Sequence, residues 1–404
     1  MINKDGPLKG IKVIEVAQWV AAPAAGALLA SLGAEVIHVE HSRRGDAFRG
    51  FRPLGLSLDT PNYVMELDNH SKKSLAVDIS KPEGQEIIRK LCNTADVFIN
   101  NLRPREIMKW GLDYDTVCKN NPKIIVANLL GAGKKGPRKD EPGNDLTDFW
   151  ARSGIMASLA PPDSTPQVSR GGFGDHMTAL ALSAGIAYAL FIRERTGIGQ
   201  EVNVSLYNTG IYALGIDYQT ALNITPEIGQ IPRTQAPNPL MNYYKTRDNR
   251  WLIISMPSTD IYWERICNVL EIQYIQNNPN FRSHSSRCEH NEELVRILDA
   301  AFSKKDYEEW ETSLTSARIP WAPIQTVAEV IKDPQAIANE FFIEVQHPVH
   351  GKIKMVNTPV KFSKTPTRVY SAMPDIGENT DEILLAAGYS WEQISELKIK
   401  NVIP

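Results

Sequence analysis

The chain has 404 residues, of which 42% are hydrophobic, and its 44 basic and 47 acidic residues give a net charge of −3. This length allows two domains, or one large domain with an insertion. The nearly balanced charge predicts no broad basic surface for nucleic acid or for an anionic membrane.

The four cysteines lie far apart and form neither a Cys-x-x-Cys pair nor a zinc-binding pattern, so the sequence predicts no metal site. The first residues lack the apolar core of a signal peptide. We also predict that no segment reaches the roughly 18 consecutive apolar residues of a membrane span. We therefore expect a cytoplasmic protein that binds neither membrane nor nucleic acid.

Predicted strands and helices alternate over the first half of the chain. A strand at 12–17, a small-residue helix at 23–32 and a strand at 35–40 form one βαβ unit. Further strands are predicted at 96–100, 123–130 and 200–205, and further helices at 82–93, 105–119, 175–192 and 207–222. This alternation predicts an α/β fold with a mostly parallel sheet covered by helices on both faces.

The composition changes after residue 222. Residues 223–239 are rich in Pro, Thr, Gln and Asn, which is typical of a connection. An antiparallel strand is predicted at 351–362, and a capping box at Ser390 opens the last helix. The predicted domains are a large domain at 1–222, a linker at 223–232, a small domain at 233–324 and a return segment at 325–404.

Asp175 ends a glycine-rich run, and an almost uncharged helical stretch follows it. Its carboxylate fits an N-cap or a first-turn position, where it can accept backbone N–H bonds. Gly171, Gly172 and Gly174 also allow a ligand to approach the backbone closely. A carboxylate beside exposed N–H groups can be a nucleophile beside an oxyanion site. The local sequence leaves both interpretations open.

Residues 131–136 match G-x-G-x-x-G after a predicted strand, but they do not predict a dinucleotide site. Pro137 follows at once, whereas the dinucleotide motif must open a helix. Glu40 ends the second strand, where such an enzyme holds a ribose, yet the preceding turn has one glycine instead of three. We expect a flexible loop, or a mobile loop near an anionic ligand.

Other catalytic patterns are weak or absent in the sequence. His176 is either a base or orienting group beside Asp175, or an ordinary surface or core histidine. The chain has no Gly-x-Ser-x-Gly elbow, no Walker loop and no His-Glu-x-x-His helix. Hydrolase, P-loop and zincin classes are therefore disfavoured.

Six short stretches occur in a fixed order along the chain. They lie at 7–13, 32–37, 174–175, 196–200, 333–335 and 377–384, and they include Gly174-Asp175, Thr196-Gly197-Ile198-Gly199-Gln200 and Gly377-Glu378-Asn379-Thr380-Asp381-Glu382. With this set the chain resembles the family III CoA-transferases, the group that contains formyl-CoA:oxalate and carnitine CoA-transferases. The resemblance implies a Rossmann-like large domain completed by the C-terminal segment, a small inserted α/β domain, and two chains interlocked as rings.

The resemblance places Asp175 on the family's catalytic aspartate. An unperturbed Asp has a pKa of about 3.9, so we expect a carboxylate at neutral pH that attacks an acyl-CoA thioester without a base. The anhydride formed is converted by the released thiolate into an aspartyl-CoA thioester. Backbone N–H groups of Gly171, Gly172 and Gly174 are expected to stabilise the oxyanions. CoA and acyl-CoA are then substrates, and no permanently bound cofactor is expected.

The family pattern also implies contacts to CoA. They carry over to Gln18, Trp19, Val20, Ala21, His41, Arg43, Val77, Asn101, Leu102 and Lys109. His41 stands where an arginine often meets the adenosine phosphates, and Arg43 or Arg44 is expected to replace that arginine.

At two positions the chain departs from motifs of other family members, and these departures indicate which branch it resembles. Gly143-Asn144-Asp145 stands where the related racemases carry Gly-His-Asp, and asparagine cannot shuttle a proton. The glycine-rich flap of formyl-CoA transferase is missing, and Pro237-Asn238-Pro239 stands in that region. The chain looks most similar to the phenyllactate and 2-hydroxyisocaproate branch, to which benzylsuccinate CoA-transferases are related.

We therefore expect a homodimeric or heteromeric CoA-transferase that moves CoA from an acyl-CoA, such as succinyl-CoA, to an aromatic or branched carboxylic acid. The first alternative is a CoA-binding subunit whose companion supplies the chemistry. A 2-methylacyl-CoA racemase and a NAD dehydrogenase are more distant alternatives.

Overall fold

The computed structural model describes residues 6–160, 164–226 and 228–404. Two compact units divide the chain. The first comprises Met1–Leu159, Pro166–Pro226 and Ala338–Pro404, and the second comprises Ala160–Thr165 and Glu227–Ile337. The second unit thus includes residues 160–165, which the sequence had assigned to the large domain, and residues 325–337, which it had assigned to the return segment. Its longer part begins within the predicted linker.

The first unit contains a six-stranded sheet in which every neighbouring pair is parallel. Its strands are β1 (Lys12–Val16), β2 (Glu35–Glu40), β3 (Lys73–Ala76), β4 (Val97–Asn100), β5 (Ile125–Leu130) and β6 (Glu201–Ser205). Their order in the sheet is β3-β2-β1-β4-β5-β6. The predicted parallel α/β sheet is confirmed, and β3 is a strand that the sequence did not predict.

Helices connect these strands and cover the sheet. They are α1 (Ala21–Ser31), α2 (Tyr63–Asn69), α3 (Pro82–Cys92), α4 (Pro104–Lys109), α5 (Tyr114–Val117), α6 (Ile155–Ser158), α7 (Phe173–Thr196), α8 (Leu206–Ala213) and α9 (Gly215–Asn223). A π-helix spans Asp145–Arg152, and 3-10 turns lie at Ala47–Gly50 and Pro53–Gly55. The Tyr63–Asn69 helix was not predicted.

The second unit has its own small antiparallel sheet of β7 (Met241–Lys245), β8 (Trp251–Ser255) and β9 (Trp321–Pro323). Its helices are α10 (Thr259–Val269), α11 (His284–Glu289), α12 (Asn291–Phe302), α13 (Tyr307–Ser316), α14 (Val327–Val330) and α15 (Pro334–Ala338), with 3-10 turns at Arg233–Gln235 and Gln273–Ile275. A separate cluster of buried side chains, including Leu252, Phe281 and Trp310, forms its core.

The C-terminal part of the first unit is an antiparallel pair, β10 (Phe342–His347) and β11 (Gly351–Val356), followed by α16 (Thr380–Ala386) and α17 (Trp391–Ile399). The strand predicted at 351–362 ends at Val356, and Pro359 cannot donate to a ladder. Leu384 and Ile394 join Ile14 and Phe98 in one core on one face of the sheet.

The core on the other sheet face is built largely by α1 and α7. Ala25 of α1 and Leu182 of α7 belong to one buried cluster with Ile99 and Ala127 of the sheet. Small side chains on α1 allow this close helix–sheet packing. Packing against α1 and the sheet therefore fixes the position of α7, whose amino-terminal end carries Asp175.

Helix α7 is 24 residues long, and its most apolar 18-residue window has a mean hydropathy of 1.3. By length and composition it could cross a membrane, so the prediction that no segment is this long and apolar is wrong. One third of that window is buried in the structure. A core helix meets the same criterion, and one such helix is weak evidence for a membrane span.

Candidate active site

A cavity of about 650 Å³ lies at the carboxyl ends of the parallel strands. It is lined from the ends of β1, β2, β3, β4 and β5. The strand order reverses between β1 and β4, and open parallel sheets bind ligands at such a reversal. This cavity is therefore the first candidate for a nucleotide-like ligand in the first unit.

Six residues predicted to contact CoA line this cavity. They are Gln18, Trp19, His41, Val77, Asn101 and Leu102. They come from the loops after four different strands. The structure thus brings together residues that are spread over more than eighty positions of the sequence.

The four other predicted contacts do not line the cavity. Val20 and Ala21 are buried in the core at the start of α1, and Lys109 is exposed at the end of α4. The Arg43 guanidinium donates to Asn401 Oδ1 at 2.6 Å. Of the two arginines considered for the phosphates, Arg44 lines the cavity.

The loop after β1 is held by side chains from other loops. Trp19 has a φ of 70°, in the region that favours glycine, and its N–H donates to both Asp46 carboxylate oxygens at 3.1 Å. Asn101 Nδ2 donates to the Gln18 carbonyl at 2.8 Å, and the Gln18 N–H donates to Asn101 Oδ1 at 3.2 Å. These contacts hold the cavity rim in one conformation.

Glu40 is buried beneath this rim and is already paired. Arg49 Nε donates to its Oε2 at 2.6 Å, and the Ser74 hydroxyl donates to Oε1 at 2.8 Å. Burial alone would raise the pKa of Glu40, but the hydrogen bond from Arg49 and the nearby cations outweigh burial and lower the pKa to about 2. Glu40 therefore supports the loop and is not left for a ribose.

A second buried acid lies under the first turns of α1. Lys72 Nζ donates to Glu15 Oε1 at 2.9 Å and to the Pro23 carbonyl at 2.8 Å. His38 Nδ1 lies 2.5 Å from Glu15 Oε1. Gly26 faces this carboxylate so closely that a Cβ there would overlap Glu15 Oε2. A side chain at position 26 would therefore have to displace the carboxylate that pairs with Lys72.

Three asparagines link the cavity to the edge of the sheet. Asn100, Asn128 and Asn203 are register partners on β4, β5 and β6. Asn100 Nδ2 donates to Asn128 Oδ1 at 2.7 Å, and Asn128 Nδ2 donates to Asn203 Oδ1 at 2.9 Å. The Leu102 N–H donates to Asn100 Oδ1 at 3.3 Å, so the row supports a loop that lines the cavity.

The loop at 131–144, which carries the G-x-G-x-x-G match, runs along the same cavity. Gly131, Lys139 and Gly143 are among the lining residues. Lys134 pairs with Glu201 outside the cavity. This loop opens the π-helix and not an α-helix, so the dinucleotide interpretation has no structural support here.

Asn144 caps the π-helix and has no proton to shuttle. Its Oδ1 accepts from the Thr147 N–H at 3.1 Å, and its own N–H donates to Thr147 Oγ1 at 3.0 Å. π-helical turns occur frequently at functional sites. The next residue, Asp145, contacts the cap of the helix that carries Asp175.

Helix α7 begins at the predicted catalytic acid. Gly172 is its N-cap with a φ of 94°, and Asp175 is the third helical residue. The Gly172 N–H donates to Asp145 Oδ2 at 2.9 Å. A Cβ at Gly174 would overlap both the Phe149 ring and Asp145 Oδ1. Glycine is therefore needed at position 172 for its backbone conformation and at position 174 for close packing.

This arrangement changes the expected oxyanion site. The N–H of Gly172 is used by Asp145, and the N–H groups of Gly174 and Asp175 also face that carboxylate and lower its pKa. Burial nevertheless raises the pKa of Asp145, whose Oδ1 is buried without a hydrogen-bond partner. Gly172 therefore does not present a free donor, contrary to prediction.

The surroundings of Asp175 hinder its ionisation. Burial, together with the charges of Asp145 and Asp68, raises the pKa of Asp175 to about 7, against the opposing charge of His176. The expectation of a fully ionised carboxylate at neutral pH is therefore wrong, because the unperturbed value does not apply in this site. Part of the Asp175 population is therefore protonated at neutral pH.

His176 is paired with a buried acid from α2. Its Nε2 lies 3.0 Å from Asp68 Oδ1, and this hydrogen bond raises the pKa of His176. Asp68 is 1% exposed, whereas the His176 side chain is 44% exposed. His176 is thus a half-exposed partner of Asp68, and its proximity lowers the pKa of Asp175.

Three acids that shape the site were not predicted from the sequence. Asp145 had a detectable signal, because it begins a helical segment directly after a glycine loop. Asp46 and Asp68 had none, since their partners Trp19 and His176 lie 27 and 108 residues away. In the part of the chain that the structure describes, no cluster of three His, Cys, Asp or Glu side chains could hold a metal ion.

The comparisons with known proteins identify the family. The model of "CoA-transferase family III" matches residues 8–380. The chain belongs to CoA-transferase family III. As a family III CoA-transferase the protein uses CoA thioesters as substrates, and the resemblance seen in the sequence is confirmed.

Two curated relatives of this family III CoA-transferase are similar over nearly their whole length. One is (R)-2-hydroxy-4-methylpentanoate CoA-transferase of Clostridioides difficile, 35% identical over 98% of this chain and 99% of that protein. The other is cinnamoyl-CoA:phenyllactate CoA-transferase of Clostridium sporogenes, 34% identical over 98% and 97%. Among solved structures, a CAIB/BAIF family protein from Brucella suis superposes with a TM-score of 0.81 and 27% identity, over 95% of this chain and 100% of that one.

Proposed function

We propose that this CoA-transferase moves CoA from an acyl-CoA to an aromatic or branched carboxylic acid through a covalent thioester on Asp175. The observation that carries the proposal is the position of Asp175, in the first turn of α7 behind the Gly172 cap. The names of the two relatives, which include a branched and an aromatic acid, support this class of acceptor. No permanently bound cofactor is needed for this exchange.

In the first half-reaction an Asp175 carboxylate oxygen attacks the thioester carbonyl of the acyl-CoA. The C–S bond breaks, CoA leaves as thiolate, and a mixed anhydride forms. The thiolate attacks the aspartyl carbonyl and expels the donor carboxylate, which leaves an aspartyl-CoA thioester. The acceptor carboxylate repeats the two steps in reverse and regenerates Asp175. One thioester replaces another, so no ATP is required.

The surroundings of Asp175 suit a nucleophile of this kind. A carboxylate with a pKa of about 7 is more basic than a free aspartate, and it is ionised in a substantial fraction of molecules at neutral pH. The positive end of α7 favours the negative charge that develops on the attacked carbonyl. The cavity of about 650 Å³ is our candidate site for CoA, and it reaches Gly143, two residues before Asp145.

Substitution of Asp175 tests the covalent route. We expect Asp175→Ala to lower kcat for CoA transfer by on the order of 10⁴-fold or more, because no other group forms the thioester. The matched control is Glu194→Gln, at the exposed end of the same helix, which should retain wild-type transfer. Borohydride added together with acyl-CoA should reduce the thioester, and mass spectrometry should locate the change on Asp175. Wild-type transfer by Asp175→Ala would exclude the mechanism.

We also expect two copies of the chain, or this chain and a paralogous subunit, to interlock in the cytoplasm. Large apolar side chains are exposed on neighbouring helices: Tyr188 on α7 is 71% exposed, and Tyr212 on α8 and Ile216 on α9 are each 86% exposed. Exposed apolar groups of this extent are typical of interfaces. Transfer by the purified chain alone would support a homodimer, whereas an inactive chain that binds CoA would support a partner subunit.

A further inference from the structure

A second cavity, of about 390 Å³, lies within the first unit and belongs to no site described above. It is lined by residues of α1, α2 and α7, by the last residue of β11 and by the segment that follows it. Its walls are mostly apolar and include Ala24, Ala27, Leu28, Ala179, Leu180 and Pro359. A volume of this size is within the range of small-molecule sites, and apolar walls suit a hydrocarbon group.

Titratable side chains also line this cavity. Asp68 and His176 lie there as a hydrogen-bonded pair. Asp68 Oδ1 is engaged by His176, but Oδ2 is buried without a hydrogen-bond partner. An unpartnered buried carboxylate oxygen is costly, so it favours a ligand that brings a donor. His70 also lines the cavity and is neutral, because burial and the charge of Lys72 lower its pKa to about 4.

The cavity is adjacent to the proposed nucleophile. His176, Ala179 and Leu180 form one face of the first turns of α7, which is the face that lines the cavity. Asp175 directly precedes His176, and its pKa is affected by the charges of both Asp68 and His176. A carboxylic acid whose hydrocarbon chain occupies the cavity would therefore have its carboxylate near the start of α7.

We propose that this cavity binds the side chain of the acceptor acid and that Asp68 Oδ2 accepts a hydrogen bond from a hydroxyl group on that acid. The inference rests on the proposed transferase function and names its substrate class as apolar hydroxy acids. Apolar walls select the branched or aromatic chain, and the lone acceptor selects the hydroxyl. A site built to bind a hydroxyl strongly rejects the analogue that lacks it.

The probes are 4-methylpentanoate and 3-phenylpropanoate, each with and without a 2-hydroxyl group, together with acetate, and succinyl-CoA serves as donor. Wild-type enzyme should prefer each hydroxy acid over its deoxy analogue by at least about 100-fold in kcat/KM. Equal values for the pairs would overturn the role of Asp68. The kcat/KM for succinyl-CoA should not depend on the acceptor's hydroxyl group, because the donor half-reaction is complete before the acceptor reacts.

Two wall variants test the location. Ala27→Leu adds three carbons to a cavity wall and should lower kcat/KM for both large hydroxy acids at least about tenfold, with little change for acetate. Leu180→Ala enlarges the cavity and should shift preference towards the phenyl acid about tenfold. The matched control is Ala300→Leu, which adds the same carbons on the exposed face of α12. Unchanged selectivity in both wall variants would overturn the placement of the acceptor side chain in this cavity. If Ala27→Leu folds poorly, Leu180→Ala still tests this placement.

Asp68→Asn tests the hydroxyl contact, since the amide keeps an acceptor for His176 but places a donor in the other position. The hydroxyl of the acid can still accept from this amide, but a neutral hydrogen bond is weaker than one to a carboxylate, so the hydroxyl preference should fall at least about tenfold. General disruption of the fold would slow both acids of a pair and leave this ratio unchanged. Calorimetric titration of each acid into the protein without any CoA compound separates this inference from the transferase proposal. If no acid is ever a substrate but hydroxy acids bind and Ala27→Leu abolishes binding, the transferase proposal fails and the cavity assignment stands.

Discussion

The neighbours of Asp175 have two opposing effects on its reactivity as a nucleophile. The carboxylates of Asp145 and Asp68 and burial raise its pKa to about 7, which makes it more basic but leaves part of it protonated. The protonated form cannot attack a thioester. The rate of CoA transfer should therefore depend on pH through this single carboxyl group.

We predict that kcat/KM for the acyl-CoA rises about tenfold per pH unit below pH 7 and levels off above it, because only the ionised acid reacts. Asp145→Asn removes one of the charges that raise the pKa of Asp175 and keeps an acceptor for the Gly172 N–H. The variant's profile should thus shift to lower pH. A pH–rate series measures this shift.

The control for this shift is Asp148→Asn on the same π-helix. Asp148 pairs with Arg152 and is not among the groups that affect the pKa of Asp175. Its profile should coincide with that of the wild type. A profile of Asp145→Asn that is unshifted, or shifted to higher pH, would contradict the proposed coupling between Asp145 and Asp175.

Some properties of Asp175 could be predicted from the sequence and others could not. Glycines before an acid at a helix start were sufficient to select Asp175 as a candidate nucleophile. They could not give its pKa, because Asp68 comes from α2 and Asp145 from the π-helix. The same limit explains why the Gly172 N–H was expected to be free, although Asp145 occupies it.

At the scale of elements, the start of α7 is defined by how closely it packs on the π-helix. Gly174 lies against Phe149 and Asp145 without room for a side chain. The π-helix supplies Asp145 to the first turn of α7, and α7 supplies Asp175. The two elements therefore act as one support, and a small displacement between them would move the nucleophile.

We predict that Gly174→Ala destabilises the protein by about 1–3 kcal/mol, because overpacking forces the two elements apart. It should also lower kcat by about 10–100-fold, since a misplacement of about 1 Å costs this much. Denaturant unfolding and steady-state kinetics measure both effects. Gly215→Ala is the control, because a Cβ there has no heavy atom within 4 Å. Wild-type kcat for Gly174→Ala would contradict the close-packing argument.

Strand and helix periodicity predicted most elements of the large sheet, because alternation of apolar runs and amphipathic helices is a local property. The four-residue β3 was not predicted, since Lys73-Ser74-Leu75-Ala76 has too few apolar residues to form a pattern. Its strand conformation depends on pairing with β2, from Ile37–Lys73 to Glu40–Ala76. Such pairing between distant segments cannot be predicted from the spacing of apolar residues within one segment.

At the scale of the whole molecule, the exposed apolar residues of α7, α8 and α9 require a partner surface in our proposal. Interlocked rings have a property that ordinary dimers lack, because they cannot separate while both chains stay folded. Dilution should therefore not release monomers, however weak each individual contact is.

We predict a native mass of twice the 45.1 kDa chain, measured by light scattering, that persists at nanomolar concentration. Copies carrying different mass tags should not exchange subunits in native buffer over a day, because exchange requires unfolding. Joint denaturation and refolding of the two tagged pools is the positive control and should give mixed dimers. A mass of 45.1 kDa would exclude the homodimer, and exchange without denaturant would exclude interlocking.

The contact between Gly26 and Glu15 links two positions that lie on different elements, one on α1 and one on β1. A side chain at position 26 displaces the carboxylate that pairs with Lys72, and Lys72 in turn binds the carbonyl of Pro23 at the start of α1. In genetic terms we expect the two positions to be epistatic, so that a substitution at position 26 costs less stability in a chain whose acid at position 15 has already been replaced.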